Sequence, residues 1–178
     1  MNMTATAPVQ LGFAHRLQLG ARRMLIPLEF VAVTLDLDED AAVELAESAA
    51  LWPAWNLATR EDGRRRKIHV WRGSLATVGR DSVEPWMAGE SHGSTESRPT
   101  LCSVIAEVLP AAFNRSPETA YIRGTELAWR FCCSMDLIAD LIAEGEIQQV
   151  GERSRPKETP IVSWLSVRDF LTRRELGR

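Results

Sequence analysis

The densest chemistry in this 178-residue chain is basic. Arg60, Arg64, Arg65, Arg66 and Lys67 crowd around the pair Asp62-Gly63, and Arg153, Arg155 and Lys157 form a second, sparser cluster. Guanidinium and ammonium groups gathered on loops are natural partners of phosphate oxygens. Such contacts release counterions, so they are strong at low salt and weaken as salt rises. Ser134 adds a third candidate. It precedes an apolar run as a helix N-cap would, and the backbone N–H groups of a helix start favour an anion. Met135 and Ala139, on the helix that Ser134 would open, are the positions expected to reach base edges. Against this stands a formal net charge of −3, which withholds the basic footprint typical of nucleic-acid binders. A charge run is also about as often a plain solvated loop.

Other chemistries find less support. The chain contains no G-x-x-x-x-G-K-[ST], no G-x-G-x-x-G after a strand and no G-x-S-x-G. No catalysis and no cofactor are therefore expected. Cys102, Cys132 and Cys133 are odd in number and include no CxxC pair, while His15, His69 and His92 are scattered. That pattern argues for buried thiols in a reducing cytoplasm, with neither a disulfide framework nor a metal site. The acidic stretch Asp36, Asp38, Glu39, Asp40 lacks the glycine and terminal glutamate of a calcium loop and reads as a helix-capping cluster. No apolar run approaches the roughly 20 residues of a membrane span. Residues 1–23 lack the layout of a secretory signal and are expected to form a flexible arm.

The elements that must carry these residues follow from periodicity. Pro27 suits the first turn of a short helix running to Leu35. Asp38 caps a second helix, to about Ala49, with Ala42, Leu45, Ala46 and Ala49 on one face. Ala54-Trp55-Asn56-Leu57 and Lys67-Ile68-His69-Val70-Trp71 flank the Asp62-Gly63 turn as a hairpin. Trp52, Trp55 and Trp71 are expected to fill the core of so small a unit. A Pro-, Gly-, Ser- and Glu-rich stretch then reads as linker. Leu101–Leu109 is a helix stopped by Pro110. Thr125–Phe131 and Met135–Glu144 form two helices around Cys132-Cys133, with Gly145 free to take positive φ. Ile147–Val150 and Ile161–Trp164 are strands around the second basic loop. Ser166 caps a last helix offering Arg168, Arg173 and Arg174.

The order helix, sharp turn, helix, glycine, strand, basic loop, strand, helix resembles the winged helix-turn-helix domains of phage excisionases and of the MerR N-terminal region. The resemblance is carried by Gly124-Thr125-Glu126-Leu127-Ala128, Cys133-Ser134, Leu141-Ile142-Ala143-Glu144-Gly145-Glu146-Ile147 and Ser166-Val167-Arg168-Asp169-Phe170-Leu171. It implies a recognition helix starting at Ser134 and a wing that carries Arg153, Arg155 and Lys157. The helix face departs from the pattern, because Met135, Asp136, Ala139 and Asp140 include no Arg, Lys, Asn or Gln. Aspartate is a minority reader of bases and is repelled by phosphate.

The first half echoes the second. Phe30-Val31-Ala32 falls beside Glu126-Leu127-Ala128, Leu37-Asp38 beside Cys133-Ser134, Leu45 beside Leu141, Leu51 beside Ile147, and Ser74-Leu75 beside Ser166-Val167. The expected fold is mainly α with small β-hairpin wings. It comprises an arm (1–23), a winged helix-turn-helix (24–80), a linker with a short helix (81–120) and a second winged helix-turn-helix (121–178). In the first copy no basic residue lies between Glu29 and Trp52, so contact with DNA is expected at Arg60, Arg64, Arg65, Arg66 and Lys67. The expected function is a regulator or excisionase-like factor that binds double-stranded DNA. The alternative is a protein–protein adaptor on the same scaffold, with self-association or a protein partner.

Overall fold

The computed structural model describes residues 23–60, 67–74, 99–110, 116–151 and 158–176. Helices and small antiparallel sheets combine into a mixed α/β fold. Strand β1 (Leu25–Pro27) leads into helix α1 (Leu28–Leu35), followed by α2 (Glu39–Glu47), β2 (Ala54–Asn56) and β3 (Ile68–Trp71). Helix α3 (Leu101–Val108) precedes β4 (Tyr121–Arg123), α4 (Gly124–Phe131), α5 (Met135–Ala143), β5 (Ile161–Ser163), α6 (Trp164–Arg174) and β6 (Glu175–Leu176).

The two halves repeat one another in backbone detail. Helix α1 ends on Asp36 at φ 55°, ψ 43°, and α4 ends on Cys132 at φ 52°, ψ 44°, both left-handed. That conformation turns the chain sharply and leaves one residue before the next N-cap. The N–H of Leu37 reaches Ala32 O at 2.9 Å, and that of Cys133 reaches Ala128 O at 3.0 Å. Asp38 then caps α2 by accepting from Ala41 N–H, as Ser134 caps α5 by accepting from Leu137 N–H. Beyond the second helix, Ala49 (φ 61°) and Gly145 (φ 74°) take the same positive φ. Leu51 and Ile147, both buried, bond back to Leu45 and Leu141.

Several boundaries differ from the sequence expectation, each for a local reason. Three short strands, β1, β4 and β6, were illegible because strands of two or three residues show no period. Ile147–Val150 forms a single bridge, Gln149 to Val162, instead of a full strand. Helix α6 is capped by Ser163, whose Oγ accepts from Ser166 N–H, so it starts three residues earlier than expected. Ser166 sits inside its first turn, where its Oγ accepts from Gln148 N–H at 2.9 Å and ties that bridge segment to α6.

Strand alternation explains how the halves join. The first sheet runs β1-β3-β2-β6, antiparallel throughout. On one face Ile26, Ala54, Ile68 and Val70 pack with Val31, Ala42 and Ala46 from the helices of their own half. On the other face Leu25 and Trp55 are fully buried in a larger core with Phe131, Ile138, Val162 and Phe170. Side chains at alternate positions point to opposite faces, so a single sheet serves both cores. Strand β6 seals the joint by pairing with β2, and Trp52 Nε1–H donates to Glu175 Oε1 at 2.7 Å. Helix α3 belongs to the same core through Val104, Ile105 and Val108. It is held at its end by Arg130 Nη1, which donates to Val108 O at 3.0 Å.

Candidate functional site

Among the expected binding residues, Ser134, Met135, Ala139, Arg60 and Lys67 are described, whereas Arg64, Arg65, Arg66, Arg153, Arg155 and Lys157 lie outside the described residues. Ser134 is exposed, with its hydroxyl committed to capping α5. Met135 is half-buried against the larger core, and its methyl end lies close to Gly124. Ala139 is also half-buried, which leaves Asp136, Asp140 and Ala143 as the outward face of α5. The matching face of α2 presents Glu39, Asp40, Glu44 and Glu47. Both second helices of the repeat therefore turn carboxylates outward.

The basic groups of α6 are already engaged. Arg174 Nη2 pairs with Glu146 Oε1 at 2.8 Å, Arg173 Nη2 approaches Glu146 Oε2 at 3.4 Å, and Arg168 pairs with Asp169 at 2.9 Å. Burial pushes the Glu146 carboxyl pKa up. Hydrogen bonds and charge from Arg174, and then from Arg173, outweigh it and hold that carboxyl below its ordinary value. Arg168 and Arg173 are exposed as expected from sequence, but Arg174 is half-buried over the Phe170 ring.

The structure does bring residues 60 and 67, which flank the first basic loop, to the second helix pair. The backbone N–H of Arg60, at one end of that loop, donates to both Glu144 carboxylate oxygens at 2.8 and 2.9 Å. Glu144 is the C-cap of α5. At the other end, the Lys67 N–H donates to Asn56 Oδ1 at 3.2 Å, and the lysine charge is felt at Cys133. Residues 60 and 67 thus sit along α5, residue 60 at its C-terminal end and residue 67 near the turn between α4 and α5. Comparison with protein-family models, curated proteins and solved structures gives no match.

Beneath that turn lies a buried histidine. His69 is 6% exposed, in the middle of β3, with Nδ1 3.2 Å from Lys67 O. Burial holds its pKa below the ordinary imidazole value. That effect outweighs the backbone oxygens of Lys67 and Cys132 and the charge of Glu29, which favour the proton, while the Lys67 charge opposes it. Cys133 beside it is pushed up to about 12, by burial first and then by Cys132, so it remains a thiol. Among the described residues no three His, Cys, Asp or Glu side chains converge as a metal site, and no helix is long and apolar enough to cross a membrane.

His69 makes the joint between halves sensitive to pH. An unfolded chain binds the imidazole proton near about pH 6.5, whereas the folded chain binds it only at lower pH. Stability from this group is full above the unfolded value. It falls as pH drops from about 6.5 toward the lowered folded value. Urea midpoints measured between about pH 8 and 5 should fall over that interval, and His69→Gln should flatten the profile there. An unchanged slope in the variant would assign the effect to other groups. Glu146 titrates only in the carboxylate range, so the two contributions separate.

Proposed function

We propose that the protein binds duplex DNA as a regulator or excisionase-like factor, acting by binding and without catalysis. In this reading the two halves are winged helix-turn-helix units. Each places a helix pair, turned through a left-handed residue, ahead of a hairpin with a basic loop. The contacts are assigned to the loops: Arg60, Arg64, Arg65, Arg66 and Lys67 in the first, Arg153, Arg155 and Lys157 in the second. Carboxylates on the outward faces of α2 and α5 oppose a phosphate-lined groove, so the helices act as frames that aim the loops. The observation that carries this reading is the fastening of the first loop at Arg60 and Lys67 beside α5. It holds the Arg60 backbone at the C-terminal end of α5 and sets Lys67 near Cys133 at the other end, and in this reading the arginines between them share that surface. Two loops on one chain raise the effective concentration of the second contact once the first is made.

A mobility shift on mixed-sequence duplex, titrated with salt, tests this. Binding at low salt that weakens linearly in the logarithm of salt concentration is the expected result. No binding at low salt overturns the reading. The same acidic faces favour a second one, an adaptor whose α2 and α5 meet a basic protein surface. That adaptor would leave the duplex unbound.

A further inference from the structure

The repeat shows what covers one sheet face in the first half, and the matching face in the second half is exposed at three apolar side chains. In the first sheet, Leu25, Trp55 and His69 turn toward the second half, where all three are buried. Their counterparts in the second sheet are Tyr121, Val150 and Ile161, placed by the same pairing. Leu25 lies opposite Trp71 as Tyr121 lies opposite Ser163, and Pro27 lies opposite His69 as Arg123 lies opposite Ile161. Val150 N–H donates to Ile161 O at 2.8 Å and so takes the flank that Trp55 takes beside His69. Tyr121 is 44% exposed, Val150 47% and Ile161 36%. Three exposed apolar side chains on one short sheet, with Arg123 among them, form a contact surface, whereas the other two large apolar residues exposed among the described ones, Val33 and Trp129, stand singly on helices.

We infer that this face docks a second copy of the chain, head to tail, on the turn that joins α1 to α2. The covered face of the first half sits on the α4–α5 turn, where Met24 N–H donates to Arg130 O and His69 reaches the Cys132 backbone. The α1–α2 turn has the same backbone and is exposed at Asp36, the counterpart of Cys132. Charge agrees with this placement. The open face carries Arg123 where the covered face carries Pro27, and the acceptor turn carries Asp36 where the internal one carries Cys132. Arg123 is exposed, with no ion pair among the described residues. The docking repeats the side-chain layer only, because Ala120 N–H, the counterpart of Met24 N–H, is already given to Ser116 O. A surface that meets a different surface on the next copy can extend without closing. Its small apolar area makes a weak association, of the order that low-area transient contacts show.

This inference does not rest on the DNA reading. Sedimentation velocity of the full chain, taken from micromolar to about millimolar concentration, should show a weight-average coefficient that rises with concentration. Arg123→Glu and Asp36→Lys should each weaken the association at least tenfold, and the two combined in one chain should restore it. Urea midpoints monitor folding, and Asp36→Asn, which tolerates the left-handed turn, replaces Asp36→Lys if that variant loses stability. Ile161→Ser should weaken association without changing charge. A chain that stays monomeric throughout, or association untouched by Arg123→Glu and not restored by the charge swap, overturns the proposal.

Discussion

Replacing Trp55 with alanine should destabilise the protein by about 3–5 kcal/mol, the range for truncating a large buried aromatic. Trp55 is fully buried on β2, opposite His69 in β3, with its ring in the core that both halves share. Its removal takes away apolar area and leaves a cavity in a core to which both sheets and the four helices α3 to α6 contribute, so neighbouring side chains can close it only partly. The loss should be felt by both halves at once. Urea unfolding followed by far-UV circular dichroism and by tryptophan fluorescence should shift together as one transition, because neither half keeps a closed core alone. Trp55→Phe should cost far less. The indole Nε1–H has no acceptor among the described residues, and a buried donor left without a partner already carries a desolvation penalty of roughly 1–3 kcal/mol. Phenylalanine removes that donor along with part of the ring. A loss below about 1 kcal/mol for Trp55→Ala, or separate transitions in the wild type, would contradict the shared core.

Much of this arrangement could be read from residue order, and its limits have physical causes. The helices around Asp36 and Cys132 were legible because Asp38 and Ser134 are capping residues ahead of apolar runs at helical spacing. The pairing of Leu45 with Leu141 and of Leu51 with Ile147 was legible too, since buried positions after a cap repeat in register. The junction between halves was not. Leu25, Trp55 and His69 alternate with residues of the local core, and sequence period cannot say which neighbour covers the second face of a sheet. The commitment of Arg173 and Arg174 to Glu146 was hidden for a related reason. Those partners lie far apart in the chain and meet only when α6 folds back on the turn after α5. Trp129 shows that residue type alone does not decide burial: it is 60% exposed. A large aromatic is a strong prior for burial, but its position on the outer side of α4 decides.

Replacing Arg64, Arg65 and Arg66 together with alanine should then separate a gripping loop from a merely solvated one. If each guanidinium neutralises one phosphate, the salt dependence of duplex binding loses about 0.9 per contact, or roughly 2.7 in the logarithmic slope. At about 0.1 M salt the same arithmetic predicts an affinity loss on the order of hundreds-fold, uniform across duplex sequences because phosphate contacts carry no base information. Folding should change little, since the anchors at the loop's two ends belong to Arg60 and Lys67: the first through its backbone N–H to Glu144, the second to Asn56. Glu144→Gln should act in the complementary way. It keeps the three arginines but weakens the charged acceptor that seats the loop, so affinity should fall less steeply and the salt slope should hold. A triple variant with unchanged slope would move the phosphate contact elsewhere. A slope lost equally in Glu144→Gln would mean that seating the loop, and not its charge alone, sets the number of phosphates reached.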